Sequence, residues 1–218
     1  MSRIDDLLRE HCPNGVGRRL LGSLGKRNKG TSITASKMKT IREEGGPVRV
    51  FAAGATFADV AESAVPAKDV VRVPSIIVKS RGHIGFAFYD RPFTHKTEMW
   101  SYSIDADDVD QKFVYYYLLT QTERLQELAR SKSVKLPQLT VKDTDALAIP
   151  VPPLEVQREI VKVLDAFTEL EAELEAELEA ELEAERQQYA HYRDALLVLL
   201  QRLRPAASSM PTTLESAS

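Results

Sequence analysis

The stretch Ile149–Val161, Ile-Pro-Val-Pro-Pro-Leu-Glu-Val-Gln-Arg-Glu-Ile-Val, divides the sequence into two parts of different character. Before it, short β-branched runs alternate with turns that contain glycine, as in a mixed α/β domain. Its three prolines end that pattern, and a long helical pattern follows to about Arg204. We therefore predict an α/β (α+β) domain over residues 1–153, a long coiled-coil helix over 154–204 and a disordered tail over 205–218.

The helical part contains a tandem repeat of four Leu-Glu-Ala-Glu units, residues 170–185, and all three residue types favour helix. Around it, apolar residues recur mostly at alternating steps of three and four, which is the pattern of a coiled coil. This stripe consists of Ile160, Phe167, Leu170, Leu174, Leu178, Leu182, Tyr189, Tyr192 and Leu196. A helix of roughly fifty residues is about 75 Å long and cannot bury such a stripe by itself, so we expect a partner helix.

The stripe is nearly symmetric about Leu178, which favours an antiparallel homodimer. Reflection through that residue pairs Leu174 with Leu182, Phe167 with Tyr189, and Ile160 with Leu196. The repeat also places eight glutamates at alternate positions, Glu171 to Glu185. These form either an ordinary solvated face or an acidic rod that avoids DNA while it separates two basic domains.

The two parts of the chain carry opposite charge. Residues 1–153 contain 23 Lys and Arg against 18 Asp and Glu, whereas residues 154–218 contain 6 against 14. Over residues 1–42 the numbers are 10 and 3. This asymmetry indicates a basic functional domain beside an acidic helix.

Within the domain, a short helix over 4–10 is followed by a Gly- and Lys-rich segment, predicted to be a loop, to about Val48. Predicted strands follow at 48–51, 70–73, 75–78, 84–89, 99–104 and 146–151. Ser80-Arg81-Gly82 is predicted to be the turn of a hairpin. A helix is expected over 111–131, capped by Asp108 or Asp110.

The sequence shows no catalytic motif. It has no Gly-x-Ser-x-Gly elbow, and Gly22–Lys26 resembles a phosphate loop only superficially. The four histidines lack metal-ligand spacing, and Cys12 is the one cysteine. No apolar run is long enough to cross a membrane, and the N-terminus does not resemble a signal peptide. We expect a cytoplasmic protein with no catalytic residue, metal site or cofactor of its own.

Basic residues cluster in segments predicted to be loops and turns, a pattern that favours nucleic acid over isolated solvated charges. Lys and Arg neutralise phosphates, and several basic and amide side chains read base edges in the major groove. The candidates for contact with double-stranded DNA are Lys26, Arg27, Lys29, Lys37, Lys39, Lys79, Arg81, His83 and Lys96.

Further segments occur in an ordered set: Cys12–Val16, Val73–Gly85, Arg91–Phe93, Leu136–Leu139, Ile149–Val161 and Gln187–Leu197. In this order and spacing they resemble the specificity subunits of type I restriction–modification systems. Ile149–Val161 is similar to that family's junction between a target-recognition domain and its conserved helix. The resemblance implies a non-catalytic subunit that selects the DNA sequence. Separate methyltransferase subunits would use S-adenosylmethionine to methylate adenine, and motor–nuclease subunits would use ATP and Mg²⁺ to cut DNA.

The chain departs from that family in length. Full-length members carry two recognition domains and two such helices, whereas this sequence shows one of each, as in a half-length form. It would act as a homodimer that reads a bipartite palindromic site, as one half of a split pair, or as a truncated remnant. Two other functions stay open: a stand-alone DNA-modifying or cleaving enzyme with a coiled-coil dimeriser, and a coiled-coil adaptor with an incidental basic domain.

Overall fold

The computed structural model describes residues 3–133 and 135–202. The chain divides into two compact units, residues 1–165 and 166–218. The helices are α1 Arg3–His11, α2 Ala35–Thr40, α3 Gln111–Thr120, α4 Thr122–Lys132, α5 Val141–Asp145 and α6 Leu154–Arg202. The strands are β1 Arg18–Leu20, β2 Gly25–Lys29, β3 Val48–Phe51, β4 Phe57–Val60, β5 Ser75–Lys79, β6 Gly85–Tyr89, β7 Phe93–His95, β8 Trp100–Ile104 and β9 Ala148–Pro150. The expected fold class, an α/β domain followed by a long helix, is confirmed.

A four-stranded antiparallel sheet in the order β2-β8-β5-β6 forms the centre of the domain. Alternate side chains of a strand point to opposite faces, so the sheet contributes to two cores. One face, which includes Ile76 and Tyr102, packs in a cluster with α3 and α4. The other face presents Ile77 to a smaller cluster with Phe93 and Met99.

A second sheet has the order β4-β3-β7, in which β3 and β7 are parallel. Val48 and Val50 of β3 are buried in a third cluster with Met38 of α2. Because Met38 is the one buried residue of this short helix, α2 keeps its lysines on the surface.

The two ends of the domain are joined by the two-stranded sheet of β1 and β9. Backbone hydrogen bonds extend it on both sides, from Leu21 N to Leu147 O and from Val151 N to Gly17 O, each 2.9 Å. The three prolines of the junction then end the strand, and α6 begins at Leu154.

The first turns of α6 belong to the domain. Val156 and Gln157 are fully buried and Val161 is nearly so. Asp165 accepts hydrogen bonds from Lys112 Nζ at 2.7 Å and from Tyr116 Oη at 2.6 Å. The compact unit therefore extends to Asp165, beyond the proline cluster that suggested a boundary at Pro153.

The prediction of a loop between the first helix and about Val48 is wrong for much of that segment. Residues 25–29 form the edge strand β2, residues 18–20 form β1, and residues 35–40 form α2. The polar run Gly-Lys-Arg-Asn-Lys lacks the alternation by which a strand is recognised, because edge position leaves its side chains largely exposed. Its strand conformation comes from pairing with β8, which is distant in sequence.

The strand predicted over 70–73 is also wrong. Val71 alone pairs, through hydrogen bonds of 2.7 and 3.0 Å with Phe93, and Val73 is half exposed. The turn at Ala67–Asp69 precedes this run, and Pro74, which has no N–H to donate, follows it. Its β-branched residues therefore do not form a ladder.

The helix predicted over 111–131 is two helices. Gln121 ends α3 with a hydrogen bond from its N–H to Leu118 O, a tightened turn, and α4 follows. The cap is Asp110, whose carboxylate accepts from Lys112 N and Phe113 N. Helix α5 was not anticipated, and the predicted end of α6 at Arg204 and the tail over 205–218 lie outside the described residues.

Candidate nucleic-acid interface

Strand β2 fixes the basic residues that the sequence placed on a loop. Lys26 pairs with Ser103 and Lys29 with Trp100 across the β2–β8 ladder. Between them, Asn28 Nδ2 donates to Ser103 Oγ at 2.8 Å and to Ser101 Oγ at 3.3 Å. The cluster is therefore held on rigid backbone at the edge of the central sheet.

An open groove of about 840 Å³ lies beside this strand. One wall is β2 and the end of β8, and the other is the segment 68–74. Its charged lining comprises five basic and two acidic side chains: Lys26, Arg27, Lys29, Lys68, Arg72, Asp69 and Asp105. The groove thus offers an excess of positive charge to an acidic ligand.

Sequence analysis missed Lys68 and Arg72. The run that contains Arg72 was interpreted as a strand, and Lys68 is a single basic residue directly followed by Asp69. Only the fold brings this segment beside β2. The available signal was a pair of basic residues, Lys68 and Arg72, between prolines 66 and 74, and it is a weak one.

Ion pairs divide the basic residues into two groups. Arg27 bonds Asp145 at 2.9 Å and Arg72 bonds Glu62. Within residues 3–133 and 135–202, no ion pair engages Lys26, Lys29 or Lys68. These three ammonium groups are the charges most available to a phosphate.

Gln111 adds a polar group to the groove lining. Its Oε1 accepts a hydrogen bond of 2.8 Å from Ile104 N, which fixes the amide. Its Nε2 is buried and has no hydrogen-bond partner among the described residues. A buried donor without a partner costs stability, so a bound acceptor would be favoured here.

The predicted hairpin turn is confirmed, with Gly82 at a φ of 73°. Two elements hold it. Gln126 of α4 donates to Gly82 O at 3.1 Å and accepts from Ile84 N at 2.8 Å. Gly82 N donates to Pro137 O at 2.9 Å, so the Leu136–Leu139 segment supports the hairpin turn. Arg81 and His83 therefore extend from a rigid, exposed turn, and Lys79 ends the preceding strand.

The remaining candidates do not line the groove. Lys37 and Lys39 are exposed on α2, which packs on the second sheet. Lys96 bonds Glu98 at 2.7 Å. The nine predicted residues are thus distributed over the groove edge, the hairpin turn and two other places.

Three arginines, Arg42, Arg49 and Arg91, act on the single carboxylate of Asp59. Arg49 bonds both oxygens of Asp59, at 2.6 and 2.8 Å, and its guanidinium lies 4.1 Å from the centre of the half-exposed Phe57 ring. The hydrogen bonds from Arg49 hold the pKa of Asp59 below its ordinary value, and the charges of Arg91 and Arg42 act in the same direction.

The predicted dimerisation residues lie on α6. Ile160 is partly buried against the domain core. The other eight, from Phe167 to Leu196, are between 48% and 69% exposed. Nothing in the described part of the chain covers this stripe, and its spacing fits a coiled coil.

The described residues provide neither a metal site nor a membrane span. Within residues 3–133 and 135–202, no group of three or more His, Cys, Asp and Glu side chains is arranged to hold a metal ion. The same residues include no helix with the length and hydropathy needed to span a membrane.

Comparison with known proteins identifies the family. The sequence profile described as the type I restriction modification DNA specificity domain matches residues 13–184. The chain belongs to this family. The resemblance carried by the junction and hairpin segments is confirmed.

The relatives of this specificity-domain chain are themselves specificity subunits. A type I restriction enzyme specificity subunit of Haemophilus influenzae is 45% identical over 95 residues, which cover 42% of this chain and 24% of that protein. The S subunit of a type I restriction–modification system from M. genitalium has a TM-score of 0.55 at 23% identity, over 72% of this chain and 40% of that one.

Other solved structures share the fold. The HsdS subunit from Thermoanaerobacter tengcongensis has a TM-score of 0.53 at 23% identity, over 77% of this chain and 42% of that one. A structure of the type I restriction–modification system has a TM-score of 0.59 at 24% identity, over 86% of this chain and 48% of that one. The specificity-domain chain thus spans less than half the length of each of these relatives.

Proposed function

We propose that this chain binds double-stranded DNA and selects the sequence on which the other subunits of a type I restriction–modification complex act. Family membership supports this role. The observation that carries it is the basic groove beside β2, which is lined by Lys26, Lys29 and Lys68. Lysines at such a place neutralise phosphates, and the exposed turn at Arg81 and His83 is suited to reading base edges.

In this proposal the chain contributes sequence selection and no catalysis. Methyltransferase subunits bind S-adenosylmethionine and methylate adenine at N6. Motor–nuclease subunits use ATP and Mg²⁺ to move along DNA and cut it. We also propose that the complex acts in the cytoplasm.

We further propose that two copies associate through α6 as an antiparallel coiled coil. The exposed stripe of α6 supports this, because its apolar residues match under reflection through Leu178. A two-fold axis at Leu178 relates two identical recognition domains. The DNA target is then two identical inverted half-sites with an unread gap between them.

Salt-dependent binding tests the groove. Lys26→Ala and Lys68→Ala should each weaken binding to duplex DNA of any sequence, and should reduce the slope of log affinity against log salt by about one. Lys162→Ala, an exposed lysine on α6, is the matched control and should leave the slope unchanged. Unchanged slopes for the two groove variants would exclude the groove as a phosphate site.

The oligomeric state tests the second proposal. Light scattering should give twice the chain mass for the wild type. Leu178→Asp places a charge at the proposed dyad and should give the mass of a single chain. A wild-type protein of single-chain mass in the absence of partners is the result against it.

A further inference from the structure

A shallow apolar hollow of about 180 Å³ lies between α3 and the first turns of α6. Its lining consists of Phe113, Tyr116, Tyr117, Thr120, Ile160 and Leu164, all of which belong to the first compact unit. A volume on the order of 150 Å³ in a protein accommodates an apolar group as large as benzene. The hollow is therefore large enough for an apolar side chain from outside.

The polar groups of the lining already have partners. Tyr116 Oη donates to Asp165 Oδ1 at 2.6 Å, and Tyr117 Oη donates to Ala148 O at 3.3 Å. Thr120 Oγ1 donates to Tyr117 O at 2.7 Å. The aromatic rings and aliphatic side chains therefore set the chemistry of the hollow, which favours an apolar occupant.

The other end of α6 carries exposed apolar side chains. Leu196 and Leu200 are 60% and 62% exposed, and residues four apart lie on one helix face. Nothing in the described part of the second unit covers them. They continue the stripe that includes Tyr189 and Tyr192.

Helical geometry relates this end to the hollow. Ile160 and Leu196 are equally far from Leu178 in the sequence. An ideal α-helix of 3.6 residues per turn returns to the same face after a whole number of turns, and this spacing assigns all three residues to one stripe. In an antiparallel pair centred on Leu178, Leu196 of one copy lies opposite Ile160 of the other, at the hollow.

We propose that Leu196 of each copy fills the hollow on the second copy. This inference rests on the antiparallel homodimer proposed above. The occupant is a second copy because Ile160 belongs both to the hollow and to the stripe, so the hollow continues the proposed interface. Each recognition domain thereby gains part of its core from the partner, and the two domains are fixed relative to each other.

Cysteine cross-linking between two differently tagged full-length chains tests this, with Cys12→Ser in both. A mixture of Thr120→Cys and Leu196→Cys chains should form an interchain disulfide, because Thr120 lines the hollow and is exposed. A mixture of Leu174→Cys and Leu182→Cys chains is the reference, because these positions meet only in the antiparallel arrangement.

The two mixtures separate the two proposals. Disulfides in both mixtures support the docking of Leu196 in the hollow. A disulfide between positions 174 and 182 without one between 120 and 196 overturns the docking in the hollow and leaves the proposed dimer intact. Disulfides in neither overturn both.

Matched substitutions give a second measurement. Leu196→Asp should weaken dimerisation at least tenfold, because it places a carboxylate in the hollow. Val198→Asp is the control, since residue 198 is 47% exposed and lies on the opposite side of the helix. Equal dissociation constants for the two variants would contradict the proposal.

Discussion

Gln157 shows how one side chain can join two elements. Its Nε2 donates to Asp108 O at 2.8 Å and to Pro152 O at 2.6 Å, and its Oε1 accepts from Asp110 N at 2.8 Å. The residue is fully buried, so no water replaces these partners. It fixes the start of α6 against the acidic turn that precedes α3.

Replacement of Gln157 by Met should therefore be costly. The variant keeps the approximate volume but leaves two carbonyls and one N–H without partners, at about 1–3 kcal/mol each. We expect the free energy of unfolding to fall by about 3 kcal/mol or more, measured by urea denaturation. Gln187→Met, at an exposed site on α6, should change it by less than about 0.5 kcal/mol. Similar values for the two variants would show that the three hydrogen bonds contribute little.

Asp59 gives a prediction about pH. Its pKa is lower in the folded chain than in the unfolded chain, because Arg49 donates two hydrogen bonds to it. Such a carboxyl stabilises the fold above its unfolded pKa of about 3.9, and this contribution is lost as the pH falls through the folded pKa. Asp59→Asn should be less stable than the wild type at neutral pH, and the difference should shrink below about pH 4. A difference in unfolding free energy that stays constant down to about pH 3 would rule out this linkage.

At the scale of elements, the close contact of β2 with β8 depends on Gly25. A Cβ atom at that position would lie 2.1 Å from Ser103 O, whereas one at Gly85 would meet nothing within 4 Å. Gly25→Ala should thus lower the free energy of unfolding by about 2 kcal/mol, through strain at the ladder. Gly85→Ala, also in a strand, should be neutral or stabilising by up to about 1 kcal/mol. If thermal and urea denaturation rank the two variants in the opposite order, β2 is not held as described.

Elements with a strong pattern of their own were predicted from the sequence. The β5–β6 hairpin has a β-branched run before Gly82 and an aromatic-rich run after it, and α6 has its apolar stripe. Elements that depend on distant partners were missed. Strand β2 is polar throughout, and α2 buries one residue.

The same distinction applies to the candidate site. Lys26, Arg27 and Lys29 were found because they are adjacent in the sequence, and the fold keeps them on one edge. Lys68 and Arg72 were missed because they join the groove only through tertiary structure. A local cluster of basic residues in the sequence therefore identified the β2 wall of the groove. The wall formed by residues 68–74 has no such cluster and was missed.

At the scale of the whole molecule, the Leu-Glu-Ala-Glu repeat sets a length. One unit of four residues adds about 6 Å of helix and rotates the residues after it by only about 40°, so the stripe continues. In an antiparallel dimer both helices change together, and B-DNA advances about 3.4 Å per base pair. Deletion of Leu182–Glu185 should shorten the unread gap by one or two base pairs, with both half-sites unchanged. A passive linker would instead accept several gap lengths in one protein, and an unchanged gap in variants with three, four and five units would contradict the length-setting role.

Mapping of methylated adenines tests the central claim most directly. The chain is co-expressed with a methyltransferase subunit, and the modified positions are located across a genome. If two copies of one recognition domain read the DNA through an antiparallel α6 pair, every modified site contains two identical inverted half-sites at one fixed spacing. An asymmetric target, or a single uninterrupted site, would contradict the account.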